Sequence, residues 1–186
     1  MKFFIKLLII ITITTPYSYS EQNKNNSDTY YKIGVFDHSH ETDMLAINKK
    51  KITNNTINVN FLGDLTQVYD LMILYDSDES LTLDNQNNKN NREEYAFYVS
   101  TGFQREFNPG NGFFIVPSFS VGLYNEFDHG KDMGFPLEFK SEIEFNFITS
   151  KNLIVGVTLN HISNAGLGSK NPGSDSIFVG FKSKIN

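Results

Sequence analysis

The chain has 186 residues, a formal net charge of -5 and no cysteine. That length suits one domain of ordinary size, and the mildly acidic balance gives no electrostatic reason for a nucleic-acid partner. Without cysteine, a disulfide framework and cysteine-based zinc sites are excluded, so packing or sheet closure must hold the fold.

In chain order, residues 1–20 place Lys2 and Lys6 around a run of Phe, Leu and Ile, followed by Pro16 and the small-x-small triplet Ser18, Tyr19, Ser20. This pattern predicts a secretory signal peptide, since the apolar run is too short for a membrane span. Residues 21–186 are then expected to form a single exported domain, opening on the polar stretch EQNKNNSDT. Beyond it, period-two alternation recurs where a helical period does not, and predicts strands near 30–37, 56–64, 68–76, 94–106, 112–124, 136–148, 152–162 and 175–185. In LEFKSEIEFNF, for example, Leu137, Phe139, Ile143, Phe145 and Phe147 share one parity with Ser141, while Glu138, Lys140, Glu142, Glu144 and Asn146 take the other.

The expected connections differ at the two ends of these strands. GDLTQ, FNPGN and TSKN are brief, whereas the segments around 37–55, 76–93 and 125–132 are long and polar. A soluble sandwich has no reason to keep that asymmetry. It predicts an all-β fold, an eight-stranded antiparallel transmembrane β-barrel in the bacterial outer membrane, with short periplasmic turns and long extracellular loops. Eight strands enclose an interior that side chains fill, so no open pore is expected, and Glu138, Lys140, Glu142 and Glu144 belong to an interior polar network.

The last expected hairpin carries the chemistry. In NLIVGVTLNHIS, Leu153, Val155, Val157 and Leu159 share a parity with His161 and Ser163, and after the turn Asp175 shares that of Ile177, Val179 and Phe181. All three polar residues therefore project from the lipid-facing wall, at the long-loop end where the cost of polarity is small. One reading is a strand end that turns polar as it leaves the membrane. The other rests on register: pairing His161 with Asp175 also pairs Leu159 with Ile177, Val157 with Val179 and Val155 with Phe181, and opposed Cβ atoms lie about 5 Å apart, within reach of a carboxylate-imidazole hydrogen bond. A serine hydroxyl needs a base, and a neutral imidazole needs a third group to fix its tautomer, roles that Ser163, His161 and Asp175 can fill. Asn164 and Gly166 offer an amide side chain and backbone N–H groups for an oxyanion.

The segment HISNAGL followed by NPGSDSI resembles the signature of the outer-membrane lipid A 3-O-deacylase (PagL) family, and KDMGFPLEFKSEIEFNF is similar to the family's preceding hairpin. The resemblance covers roughly the last ninety residues. It implies a barrel esterase acting on lipid A of lipopolysaccharide in the outer leaflet, with Ser163 as nucleophile, His161 as base, Asp175 as orienting acid, Asn164 and Gly166 near the oxyanion hole, and neither cofactor nor metal. Asp175 stands where glutamate is found in the family, and Lys140 where arginine is usual. The alternative is a non-catalytic structural or adhesive barrel, or a soluble lipocalin-like carrier with its apolar parity inside. HSHE at 38–41, DSDE at 76–79 and the Asp128–His129 pair fall in expected loops, as do Lys131 and Lys170, the weaker phosphate candidates.

Overall fold

The structure is a computed structural model that describes residues 28–37, 44–77, 93–127, 131–150 and 153–183. The expected signal peptide, the HSHE cluster and the Asp128–His129 pair lie outside the described residues, and of DSDE, Asp76 and Ser77 end a strand instead of lying in a loop while residues 78 and 79 lie outside them. Nine strands follow in order: β1 (Asp28–Phe36), β2 (Met44–Val59), β3 (Gly63–Ser77), β4 (Glu93–Gln104), β5 (Phe107–Gly110), β6 (Phe113–Phe127), β7 (Leu137–Ser150), β8 (Leu153–Ser163) and β9 (Ser174–Ser183). Eight long strands pair antiparallel in the order β4-β3-β2-β1-β9-β8-β7-β6, and β4 pairs with β6 to close the sheet on itself. The short β5 lies within the β4–β6 connection and pairs with β6. This is the expected eight-stranded barrel.

Two expected boundaries require correction. The second strand runs over 44–59, not 56–64, and GDLTQ opens β3 instead of forming a turn. The turn is at residues 60–62, where the Leu62 N–H donates to the Val59 carbonyl at 2.9 Å. The cause is composition: inward Asn48 and Lys50 alternate with outward Lys49 and Lys51, so both parities of β2 read as polar. The asymmetry of connections persists, with 60–62, 105–112 and 151–152 at one end against 37–43, 78–92, 128–136 and 164–173 at the other.

Inside, the barrel has two zones. Toward the long-loop end Phe36, Met44, Ala46, Met72, Leu74, Ala96, Tyr98, Tyr124, Met133, Ile162 and Phe178 form an apolar plug. Below it lies a charged layer. The Lys50 ammonium donates to Glu142 at 2.9 Å and Glu144 at 2.7 Å, Lys32 donates to the same acids at 3.0 and 3.2 Å, and Lys140 bridges Glu142 at 3.1 Å and Asp70. The Tyr30 hydroxyl donates to Asn146, whose amide donates to Glu144. Room for these long side chains comes partly from Gly180, where a Cβ would come within 2.6 Å of Lys32 Cγ and 2.8 Å of the Tyr30 ring. Three lysines therefore meet Asp70, Glu142 and Glu144 with no net charge.

The opposite parity faces outward and is apolar: Ile33, Val35, Leu71, Ile73, Val99, Leu123, Phe145, Val157, Leu159, Ile177 and Val179 are all exposed. Outward aromatic pairs, Tyr75 with Tyr95 and Phe97 with Phe127 toward the outer end and Tyr31 with Phe181 toward the other, flank this band as interfacial girdles do.

Breaking a buried ion pair by removing one partner typically costs about 3–5 kcal/mol, because the remaining charge stays buried. Glu142 accepts from Lys32, Lys50 and Lys140 at once. Glu142→Ala is therefore expected to lower the stability of the folded barrel by about that amount, read from urea unfolding in lipid vesicles. An unchanged midpoint would show that the charged layer contributes little.

Candidate active site

The β8–β9 hairpin places the proposed site at the long-loop end of the outer wall. Inward Asn160 and Ile162 alternate with outward Leu159, His161 and Ser163, and the ladder pairs His161 with Asp175, Leu159 with Ile177, Val157 with Val179 and Val155 with Phe181. This is the register assumed from the sequence, and the outward parity is the one the alternation predicts. The His161 Nδ1 lies 2.8 Å from Asp175 Oδ1, and both side chains are partly exposed, 36% and 47%. An ionised carboxylate only accepts, so Nδ1 carries the proton and donates, leaving Nε2 as the basic nitrogen.

Ser163 follows His161 on the same face, about 6.6 Å along the strand at the usual rise. It is buried, with 8% exposure. Its ladder partner on β7 is Phe139, which stacks on Phe119 with centroids 6.1 Å apart, and the partner of His161 there is Ser141. An aromatic pair thus lies to one side of the serine, and the imidazole-carboxylate pair to the other.

Beyond Ser163 the chain turns sharply. Ala165 and Gly166 have φ of 54° and 84°, and the Leu167 N–H donates to the Asn164 carbonyl at 3.0 Å. Asn164 is fully buried and spends its side chain on the fold: Nδ2 donates to the Met133 carbonyl at 2.9 Å and the Lys170 carbonyl at 2.8 Å, while Oδ1 accepts the Gly166 N–H at 2.9 Å. The Asn164 N–H donates to Asn171 Oδ1 at 3.0 Å. Of the two expected oxyanion groups, Asn164 and Gly166 therefore shape the turn with donors that are already engaged. Between them, among the described residues, the Ala165 N–H makes no hydrogen bond within the turn.

The turn rests on the β6–β7 loop. Lys170 pairs with Asp132 at 2.5 Å, and Asp132 also accepts the Gly134 N–H at 2.7 Å. Lys131 pairs with the buried Asp37 at 2.5 Å, so both lysines considered for phosphate are engaged in loop-to-loop pairs. Asn171 and Asp132 were not singled out by sequence reasoning. Asp132-Met133-Gly134 carries the Asx-turn pattern, a legible signal, but the long-range partner of Asn164 leaves no local mark. No group of metal-ligating residues occurs among the described residues.

A closed barrel with a charged interior and an apolar outer wall belongs to the class of outer-membrane β-barrels. Residues 46–183 match the family model of lipid A 3-O-deacylase (PagL). The chain belongs to that family, a family of outer-membrane lipid A deacylases. Among solved structures it is similar to the outer membrane enzyme PagL, with 20% identity and a TM-score of 0.54 over 85% of this chain and 99% of that one. It is also similar to Neisserial surface protein A (NspA), with 8% identity and a TM-score of 0.53 over 86% and 96%. At these identities both likenesses bear on the fold alone. No curated protein matches the chain.

Hydrogen bonds from Lys170 and the Gly134 N–H hold the Asp132 carboxyl below its ordinary pKa of 3.8. A lowered folded-state pKa stabilises the loop pair above that ordinary value, and the contribution is lost as pH falls through the folded value. Hydrogen exchange in residues 164–173 is expected to be flat from pH 8 down to about 5 after correction for intrinsic rates, and to accelerate below about 4. In Asp132→Asn the acid-side change should vanish; its persistence would assign it to another group.

Proposed function

We propose that the protein hydrolyses the ester of the 3-O-linked acyl chain of lipid A, with Ser163 as nucleophile, His161 as general base and Asp175 as the acid that orients it. The observation that carries this reading is the 2.8 Å contact from His161 Nδ1 to Asp175 on the outward face, at the rim of an apolar wall. A buried polar pair inside the barrel has a structural explanation. An outward pair next to lipid has none from packing, while it suits a bond that lies in lipid.

In the proposed cycle, Ser163 Oγ attacks the ester carbonyl and its proton passes to His161 Nε2. The tetrahedral intermediate collapses, the sugar hydroxyl leaves with that proton, and the acyl chain remains on Ser163. Water then attacks the acyl-enzyme, giving its proton to Nε2, and the fatty acid departs as Ser163 recovers a proton from the imidazolium. Asp175 stays ionised throughout and stabilises the charged ring. The Ala165 N–H, two residues beyond Ser163 in the turn, is the backbone donor assigned to the developing oxyanion, and Leu159, Ile177 and Val179 form the wall along which the acyl chain lies. Residues 1–20 serve in this reading as the export signal, and 21–186 as the single barrel domain.

Mass spectrometry of lipid A from outer membranes expressing each variant tests the assignment. Wild type should release one 3-O-acyl chain. Ser163→Ala and His161→Asn should lower the rate by about 1,000-fold or more, and Asp175→Asn by about 100-fold or more, with folding verified by heat-modifiable mobility. Wild-type deacylation by Ser163→Ala would remove the serine from the mechanism. Unchanged lipid A in the presence of folded wild-type protein would favour a structural barrel.

A further inference from the structure

The β8–β9 register pairs Ile162 with Ser174 and His161 with Asp175. Continued one step outward, it sets Ser163 across from Gly173. Four positions thus form the corners of a square on the outer wall. Three carry His161, Ser163 and Asp175, and the fourth carries only hydrogen.

That empty corner is in contact with the imidazole. A Cβ on Gly173 would stand 3.1 Å from His161 Cε1 and 3.6 Å from Nε2. Cε1 lies between the two ring nitrogens, and Nδ1 is already held by Asp175. The nitrogen-bearing edge of the ring is therefore turned toward Gly173, diagonally across the hairpin, and does not project straight out into lipid. With Nδ1 on Asp175, both Cε1 and Nε2 lie along the ring edge that borders the Gly173 corner. Gly173 also has φ of +67°, a conformation that other residues resist.

We propose that Gly173 is a positioning residue of the active site: its missing side chain keeps the diagonal slot in which His161 lies with Nδ1 on Asp175 and Nε2 available to Ser163. The proposal rests on the triad reading above. A Cβ at this corner forces the ring to shift or rotate, and either movement misaligns Nε2 with the serine hydroxyl. The ring must give by a few tenths of an ångström or more, and a misplacement approaching 1 Å costs about 100-fold in rate. The acyl-binding wall is untouched, so KM should stay within about threefold of wild type.

Gly173→Ala and Gly173→Asn are compared with wild type and Ser163→Ala as folded barrels in lipid A-containing detergent micelles, with rates expressed per folded molecule. A fluorophosphonate probe reports the nucleophilicity of Ser163 independently of lipid A binding. Asparagine tolerates positive φ better than alanine but has the larger side chain, so the order of the two variants separates backbone strain from collision with the ring. The expected result is a loss of about tenfold to 100-fold in kcat and in labelling rate for both, with little change in KM and no advantage for asparagine. Substantial recovery with asparagine over alanine, wild-type kcat in Gly173→Ala, or failure of both variants to fold would each overturn the proposal. Retained activity in Ser163→Ala would instead overturn the triad reading, whatever the glycine variants do.

Discussion

Closure of the backbone hydrogen-bond network is the constraint on which everything else depends. In hydrocarbon an unpaired peptide group costs several kcal/mol, which leaves a closed barrel as the only way for strands to cross. Here closure is made by β1 against β9 and β4 against β6. Once the sheet is closed, each side chain faces either the interior or the lipid, and a slip of one residue would invert a whole strand. For β7 such a slip would turn Lys140, Glu142 and Glu144 into lipid. Interior ion pairs thereby hold the register, and through it the direction of residues that they never touch. His161 points outward because Asn160 and Ile162 point inward.

The molecule uses opposite charge in two different ways. In the interior, three lysines and three acids are shielded from solvent and bound to more than one partner each, an arrangement that satisfies buried charge but gives it no access to a substrate. On the wall, His161 and Asp175 pair with each other and remain partly exposed. A basic side chain on the lipid face of a barrel costs about 2–4 kcal/mol at the midplane and about 0–1 kcal/mol near the interface, with acids costing less. The depth dependence limits where an outward polar site can be kept. The rim of β8 and β9 meets that limit.

Legibility followed the contrast between parities. β7, β8 and β9 alternate apolar with polar or small residues, so their faces were readable from the sequence, whereas the His161–Asp175 register, which alternation leaves open by steps of two, had to be assumed. β2 was not, because inward Asn48 and Lys50 stand between outward Lys49 and Lys51, and a strand polar on both faces resembles a loop. Parity also locates a side chain without naming its partner. It assigned Glu138 to the interior with Lys140, Glu142 and Glu144, yet both Glu138 carboxylate oxygens are buried without a hydrogen-bond partner among the described residues. Asn164 shows the same limit in the turn. Its place next to Ser163 suggested an oxyanion donor, whereas its amide is engaged by Met133, 31 residues earlier in the chain, a contact that only the packed loops create.

Register also accounts for the length of the acid that meets His161. Because Asp175 stands directly opposite His161, the span between the two strands is about 5 Å at Cβ, and an aspartate closes it to a 2.8 Å contact. A glutamate in the same position must fold an extra methylene into that span or approach the ring from another angle. The shorter acid therefore ties the imidazole closely to the plane of the hairpin, and the empty corner at Gly173 becomes the direction in which the ring can lie. Below it Leu159 and Ile177 face lipid, and above it the Lys170–Asp132 pair faces water. The polar pair is confined to the narrow band between them.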